Sequence, residues 1–573
     1  MKNISAVIYG LFIITLSLFT FLPLLNSGFF NFHDNTQVVR VFEMGNSLSS
    51  GMFPVRWIDG LGYGYGYPIF NFYGPLPYYI GGILSLVGFD ALFATKTMFF
   101  VGIVLSGISM FVFARRIFGE IAGTVCGILY AYFPYHAVNI YVRGAVGEFF
   151  AYAFLPIFLL GIFGLMQSEQ KSVISPKNIT NILVVAWGLF LVAISHNLTL
   201  FMLLLLCIPL LCAITIVAKN KKVFFISALI GLLLGIALSA FYVFPAFLEM
   251  KYTNVSSQIG GGADFRDHFV CASQYWNSLW GYGGSVKGCV DGLSFKLGKF
   301  NILLFVSSLI FLCISIYRRN WKKAEKIAMI AFILSVISMF FTLEISQTVW
   351  EAIPYMLYLQ YPWRFINFIG ISMILVIGYM TARIGELFPR KIVLIAATVI
   401  IVMTILSSYK LFVPQQYVSF PSQFYISDNY IKYTISKISD EYMPPSFSVP
   451  RSAGEVPSRE LFFVNSDEST EVLTNKVNYL KSSFEIEKDG VLHINKAYFP
   501  AWKAYENGTE IPIVPTHNGM NVSLHSGKGI FELKFRQTNI EIIANIVSVL
   551  AFLLSVVSIS KAYLRANYRK KTV

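Results

Sequence analysis

Twelve predominantly apolar stretches, most of them about 20 residues long, set the limits on what this chain can become. The first is MKNISAVIYGLFIITLSLFTFLPLL, and others lie at roughly 91–113, 120–140, 149–167, 181–196, 198–218, 223–246, 300–317, 325–342, 365–382, 391–410 and 539–560. At 1.5 Å per residue such stretches cross a hydrocarbon core about 30 Å thick. The stretch at 181–196 is short, which predicts a tilted or partly re-entrant helix. No small-residue cleavage site follows the first stretch (the next residues are NSGFFNFHDN), so it reads as an uncleaved first helix. With 56% hydrophobic and 13% charged residues, several soluble domains are excluded for most of the chain.

The net charge of +14 could suggest nucleic acid, but its placement argues for topology instead. Arg115 and Arg116, Lys171 and Lys177, Lys219 to Lys222, Arg318 to Lys326, Arg383 to Lys391, and Lys561 to Lys571 carry the basic clusters. Under alternate threading every cluster falls on one side, as expected for cytoplasmic loops. The expectation is a multi-pass plasma-membrane protein with both termini cytoplasmic. Membrane lipids are its natural partners, and nucleic acid is not.

The long connections fall on the other side, at 26–79, 249–299, 342–364 and 411–538. The last alternates Val, Ile, Phe and Tyr with polar residues and is broken by Pro, Asn and Gly, as in SFEIEKDGVLHINKAYFP and GIFELKF. This pattern predicts short strands joined by turns. The fold class is therefore mainly α, a polytopic membrane bundle of about twelve helices, with an extracytoplasmic β-rich domain like a sandwich or jelly roll. The predicted layout is 1–410 for the transmembrane module with its loops, 411–538 for the β-rich domain, and 539–573 for the last span and basic tail. The 342–364 loop is expected to include a helix along the surface.

Motifs of familiar soluble enzymes are missing: no GxxxxGK[ST], HExxH or GxSxG occurs. The run GLGYGYGYPIFNFYGPLPYY follows no strand-then-helix unit, so it reads as an aromatic loop. Four cysteines (Cys126, Cys207, Cys212, Cys313) sit in apolar runs. Cys271 and Cys289 share one external loop, where a disulfide would stiffen the chain.

Polar residues at the outer ends of the spans are the informative ones. They are Asp34 in FNFHDNTQ, Arg143 and Glu148 in YVRGAVGEFFAYAFLP, His136, His196, Glu249 in FPAFLEM, and Arg364 in LQYPWRFINF. Ionisable groups there are costly unless paired or used. All converge on one face, where no cytosolic nucleotide pool is at hand. A group transfer on that face needs a donor delivered by the membrane, and a lipid-linked phosphate fits. Arginine suits the phosphate, and a carboxylate suits the acceptor proton.

The stretch HDNTQVVRVFEMGNSLSSGMFPVRWIDGLGYGYGYPIFNFYGPLPYY resembles the first loop of the pyruvoyl-tetrahydropterin-synthase-related integral membrane proteins. RGAVGEFFAYAFLP, ISHN, FPAFLE and LQYPWRF are similar to that family's later motifs, in order. YFPAWKAYENGTEIPIV resembles the external domain of YfhO-like membrane proteins. These families are placed with the GT-C superfamily of membrane glycosyltransferases. The resemblance implies a GT-C-like bundle and an inverting transferase on the extracytoplasmic face. It would use a polyprenyl-phosphate-linked sugar as donor and an envelope glycan, lipid or protein as acceptor. Nothing in these residues suggests pterin chemistry.

The same resemblance makes Asp34 the catalytic base and places Arg364, with Arg143, against the donor phosphate. His33, Arg56, Trp57, Glu148, His196 and Glu249 are assigned to the substrate pocket. His33 stands where stricter motif forms carry a second acid, so a divalent metal (Mg2+ or Mn2+) is left open and no ligand set is assigned. Plainer readings remain beside these. Asp34 could be a solvated loop acid, Arg364 an interfacial arginine beside Trp363, Arg143 and Glu148 an internal salt bridge, and His196 a polar residue satisfied at a tight turn. A transporter or flippase for an envelope lipid, or a non-catalytic glycan-binding protein, is the alternative function.

Overall fold

The computed structural model describes residues 2–319, 321–464, 468 and 470–571, with side chains from residue 7 to residue 562. Arg565, Arg569, Lys570 and Lys571 of the expected basic tail therefore have side chains outside the described residues. Among the described residues, ten helices are long and apolar enough to cross a membrane, or up to twelve if each of two bent pairs is one span. The first bent pair is α1 (Lys2–Leu16) with the turns to Leu25, angled 58° at Ser17. Between it and the next span lie two shorter helices, α2 (Gln37–Ser49) and α3 (Leu76–Leu86). The spans continue with α4 (Ala91–Phe118) and α5 (Glu120–Ala131). The latter bends by 43° into the segment Pro134–Arg143, where Pro134 cannot continue the ladder.

Next come α6 (Val146–Met166), α7 (Pro176–Ser195), α8 (Asn197–Val217) and α9 (Lys221–Leu238), followed by the separate short helix α10 (Ala240–Leu248). The set closes with α11 (Lys299–Tyr317), α12 (Lys323–Thr342), α13 (Ile366–Leu387), α14 (Arg390–Ser408) and α15 (Asn539–Lys571). The expectation of a short, re-entrant segment at 181–196 is corrected: α7 is a full 20-residue helix. Ser175 caps it and Pro176 opens it, and its polar first turn hid its true start. The 342–364 connection holds the helix Gln347–Ala352 between 3-10 turns.

Burial sorts the helices by position. The span through α13 is 94% buried and α6 83%, whereas α11 and α14 are each 28% buried and α15 22%. The first two form the bundle's axis, and the last three turn apolar faces such as Leu303, Leu406 and Leu550 outward. With no water in a bilayer core to favour helix burial, apolar side chains there face lipid at no cost.

The β-rich part is a sandwich of two antiparallel sheets. One is ordered β4-β5-β11-β7-β8 and the other β3-β6-β10-β9. Their ranges are β3 (Leu461–Phe463), β4 (Thr470–Lys476), β5 (Tyr479–Ile486), β6 (Gly490–Ile494), β7 (Trp502–Glu506), β8 (Thr509–Ile511), β9 (Val514–Thr516), β10 (Gly519–Leu524) and β11 (Gly527–Phe535). Alternation sets the inner faces: Leu480, Phe484 and Ile486 of β5 meet Met520, Val522 and Leu524 of β10 in one core. A two-stranded ribbon, β1 (Phe29–Phe30) on β2 (Tyr417–Val418), ties the first loop to the chain entering this domain.

The long loops touch one another. His33 Nε2 donates to the Tyr282 carbonyl at 2.8 Å, the Asn254 N–H donates to the Met443 carbonyl at 2.8 Å, and the Tyr282 hydroxyl donates to the Val413 carbonyl at 2.7 Å. Cys271 and Cys289 are joined by a disulfide, with Cα atoms 5.5 Å apart. The short basic connections meet at the opposite end of the bundle, where Lys219 pairs with Glu169 and Lys322 with Glu386.

Candidate active site

A turn of π-helix, Val138–Arg143, ends the bent third span just before α6. Gly144 ends it at φ +64°, and a Cβ there would run into the Phe32 ring, so only glycine fits. The first loop is clipped onto this turn. The His33 N–H donates to the Val142 carbonyl and the Asp34 N–H to the Arg143 carbonyl, each at 3.0 Å. Gln37 locks the far side, donating to the Gly144 carbonyl at 2.9 Å while accepting from the Tyr78 hydroxyl at 2.6 Å. Asp34 is thereby fixed through its backbone. Its half-buried carboxylate accepts no hydrogen bond and pairs with no cation among the described residues.

Two guanidiniums feel that carboxylate, those of Arg40 and Arg143. Arg40 comes from α2 and is buried. It donates to Ser439 Oγ at 2.8 Å and to the Tyr78 hydroxyl at 3.4 Å, lies over the Tyr73 ring at 4.4 Å, and leaves Nε unpartnered. Its charge is thus met by hydroxyls and a ring, with no ion pair to a carboxylate among the described residues. Glu441 lies on the same side of Arg40, and burial pushes its carboxyl up to about 7, against the pull of Arg40.

Behind Arg143 stands a buried network around Glu148. Arg143 Nη1 contacts Glu148 Oε2 at 2.7 Å, Arg364 Nε lies 3.7 Å from the same oxygen, and Oε1 accepts from Tyr135 at 3.0 Å and Asn367 at 2.8 Å. Arg143 also donates to Asn139 Oδ1 at 2.6 Å and lies over the Trp363 ring at 4.5 Å. One carboxylate therefore serves two arginines. His196 is buried beside Gly147 and accepts from Thr199 N–H at 3.2 Å, as the N-cap of α8. His136 is buried and donates from Nδ1 to the Ala131 carbonyl at 3.0 Å.

The structure thus gathers Asp34, His33, Arg143, Glu148, Arg364 and His196 at one end of the bundle. It does not bring Arg56, Trp57 or Glu249 there. Arg56 is buried at the junction with α15, bonded to Asn71 at 2.7 Å and Asn545 at 2.9 Å and lying 3.7 Å from Glu541. Glu249 accepts from Thr538 just before that helix. Trp57 packs edge-on against Trp502 of the sandwich at 5.3 Å. Their neighbours in space come from the far end of the chain. Arg40 and Glu441 were missed. An arginine between valines on an amphipathic helix carries one weak signal, a charge on a buried face.

No group of three or more His, Cys, Asp or Glu side chains suited to a metal gathers among the described residues. Asp34 stands within the fields of two guanidiniums, which disfavour a divalent cation. These donors, as placed, do not make a Mg2+ or Mn2+ site among the described residues.

The model of the 6-pyruvoyl-tetrahydropterin synthase related domain, a membrane protein family, matches residues 70–412, more than half of the chain. The chain belongs to this family. The matched region includes Arg143, Glu148, His196, Glu249 and Arg364, while Asp34 and Arg40 precede it. A protein of Lactococcus lactis subsp. cremoris (strain MG1363) described as uncharacterized is 25% identical over 298 residues, 50% of this chain and 45% of that protein. Among solved structures, the mycobacterial arabinofuranosyltransferase AftD aligns over 74% of this chain and 28% of its own, at 11% identity and a TM-score of 0.47. The Archaeoglobus fulgidus oligosaccharyltransferase AglB, in complex with an inhibitory peptide and a dolichol-phosphate, aligns over 72% of this chain and 56% of its own, at 12% identity and a TM-score of 0.45. The chain spans less than two thirds of each of these proteins.

Proposed function

We propose that this protein is an inverting membrane glycosyltransferase of the GT-C type, using a polyprenyl-phosphate-linked sugar and an envelope acceptor. The observation that carries the reading is the Asp34 carboxylate. It is held by its backbone, left without a partner, and set beside Arg40 and Arg143. An acid kept free beside arginines suits a general base whose substrate brings an anion. In this reading the loop face is extracytoplasmic and the basic connections face the cytoplasm.

Asp34 takes the proton from the acceptor hydroxyl as that oxygen attacks the anomeric carbon. The bond from this carbon to the phosphate oxygen breaks, and its electron pair leaves with the lipid phosphate. Arg40, Arg143 and Arg364 oppose the charge that develops there. Glu148 holds the last two in place, at the cost of neutralising one of them.

The test is sugar transfer by purified protein in nanodiscs supplied with polyprenyl-phosphate-linked sugars. Asp34→Asn should lower the rate by about 10²-fold or more, the range for general base catalysis, with the melting temperature unchanged. Transfer by the variant at the wild-type rate sinks the base assignment. Lipid flipping by the wild type without transfer favours the transporter reading.

A further inference from the structure

A cavity opens at the loop end of α11 and α14, apart from Asp34. Its volume is about 360 Å3, and its walls include Lys296, Lys299, Asn277, Ser278, Asn301 and Ser407. Lys296 is half-buried and lies over the Trp280 ring at 5.1 Å, and Lys299 lies over Trp276 at 5.6 Å. Neither lysine pairs with a carboxylate among the described residues. Burial, together with the charge of Lys299, lowers the proton affinity of Lys296. Two lysines at one cavity, with no acid paired to them among the described residues, favour an anion there. The first N–H groups of α11, which begins at Lys299, point the same way.

The position of the cavity says which anion. Both flanking helices are among the least buried of the bundle, so the cavity lies at the rim of the lipid-facing surface, where headgroups sit. Phe300, Leu411 and Pro134 supply an apolar side. Two lysines match the charge of a phosphate monoester, about −1.5 to −2 at neutral pH, better than the single charge of a diester.

We propose that this cavity binds the phosphate monoester of a membrane lipid, entering or leaving between α11 and α14. If the glycosyltransferase reading holds, this lipid is the reaction's own product. Transfer breaks a lipid phosphodiester at the sugar and leaves a monoester with one more charge. A relay of contacts joins the two places: Lys296 lies over Trp280, Trp280 meets Tyr282 at 6.3 Å, and the Tyr282 carbonyl accepts from His33, next to Asp34.

The experiment is native mass spectrometry of the full-length protein in detergent, titrated with phosphatidic acid (a monoester), phosphatidylglycerol (a diester) and inorganic phosphate. Wild type should hold phosphatidic acid about ten-fold or more tightly than either of the others. Lys296→Gln/Lys299→Gln should remove that preference, with an unchanged melting temperature. Lys410→Gln, on the same face but outside the cavity, should keep it. Equal affinity for the two lipids, an undiminished preference in the double variant, or inorganic phosphate binding as tightly as the lipid each overturns the proposal. If the double variant misfolds, Lys299→Gln alone decides, because Lys299 is exposed. The measurement needs no turnover, so an active Asp34→Asn variant would refute the base and leave this result standing.

Discussion

Replacing Glu148 with glutamine is the sharpest probe of the buried network. Glu148 is 1% exposed, and the side chains of Arg143 and Arg364 are 11% and 9% exposed. Glutamine keeps the shape and can still accept from Tyr135 and Asn367. It deletes the only charge that separates two buried guanidiniums in this network. Breaking a buried ion pair from one side costs about 3–5 kcal/mol, chiefly because an uncompensated charge remains. At about 2.1 cal/mol/K per residue, a chain of 573 residues has an unfolding entropy near 1.2 kcal/mol/K, so the loss corresponds to about 3–4 °C in melting temperature. A thiol-reactive fluorogenic dye reads it in a background where the exposed Cys212 and Cys313 are replaced by alanine, since Cys126 and Cys207 are buried and react only on unfolding. The second arm is Glu148→Gln/Arg364→Met. With one cation removed, the double variant should melt higher than Glu148→Gln alone, although Arg364→Met by itself is destabilising. A single-variant loss under about 1 °C, or double-variant losses that simply add, refutes the view that Glu148 exists to hold two arginines together.

Three further outcomes are expected. Glu43 is 3% exposed and burial pushes its carboxyl from 4.5 up to about 7. The folded state therefore holds a proton that the unfolded state loses between about pH 4.5 and 7, and stability falls as pH rises through that window, by about 3 kcal/mol in all. Glu43→Gln should melt with wild type at pH 5 and above it at pH 8, and an equal difference at both refutes the assignment. Cys271→Ser should leave the spans intact but free the loop up to Cys289, so trypsin should cut at Lys287 sooner than in wild type; equal cleavage rates count against a stiffening role. Trp57→Ala should cost about 3–5 kcal/mol, because it empties a buried site between the first loop and the sandwich, and a melting curve identical to wild type would show that the contact is dispensable.

The sequence made the membrane spans legible because hydropathy and length act locally, and one residue type, the basic one, marks the loop ends. The meeting of Arg143, Glu148 and Arg364 was within reach for a related reason. A charge at the end of an apolar helix needs a partner at the same depth, and few were on offer. Glu249 and Arg56 satisfy the same rule, yet they found partners near α15, at Thr538 and Glu541. Depth is written in one helix, but lateral neighbours depend on how the whole bundle is arranged. The bends at Ser17 and near Pro134 follow the same division: the proline was visible, while the serine break was not. Arg40 escaped notice because its buried side faces a segment about 400 residues away, at Ser439.

The fixed points of the first loop bear on how Asp34 could work. The β1–β2 ribbon holds the loop just before Asp34, and the Val142 and Arg143 carbonyls hold it at His33 and Asp34. Further along, Lys496 of the sandwich contacts Asp59 at 2.8 Å, and Arg56 is bonded to Asn545 of the last span. Each fastening uses a partner from a different part of the chain, and none uses the Asp34 carboxylate. A carboxylate in solution must shed ordered water and find its orientation before it accepts a proton. Here the backbone bonds fix where the residue sits, and among the described residues the carboxylate is neither in a salt bridge nor acting as a helix cap. Such an arrangement lowers the reorganisation needed during reaction, which is where electrostatic catalysis gains most. Under the proposed function, the strand ribbon, the sandwich lysine and the last span that fasten this long loop limit how far the base can drift from its acceptor.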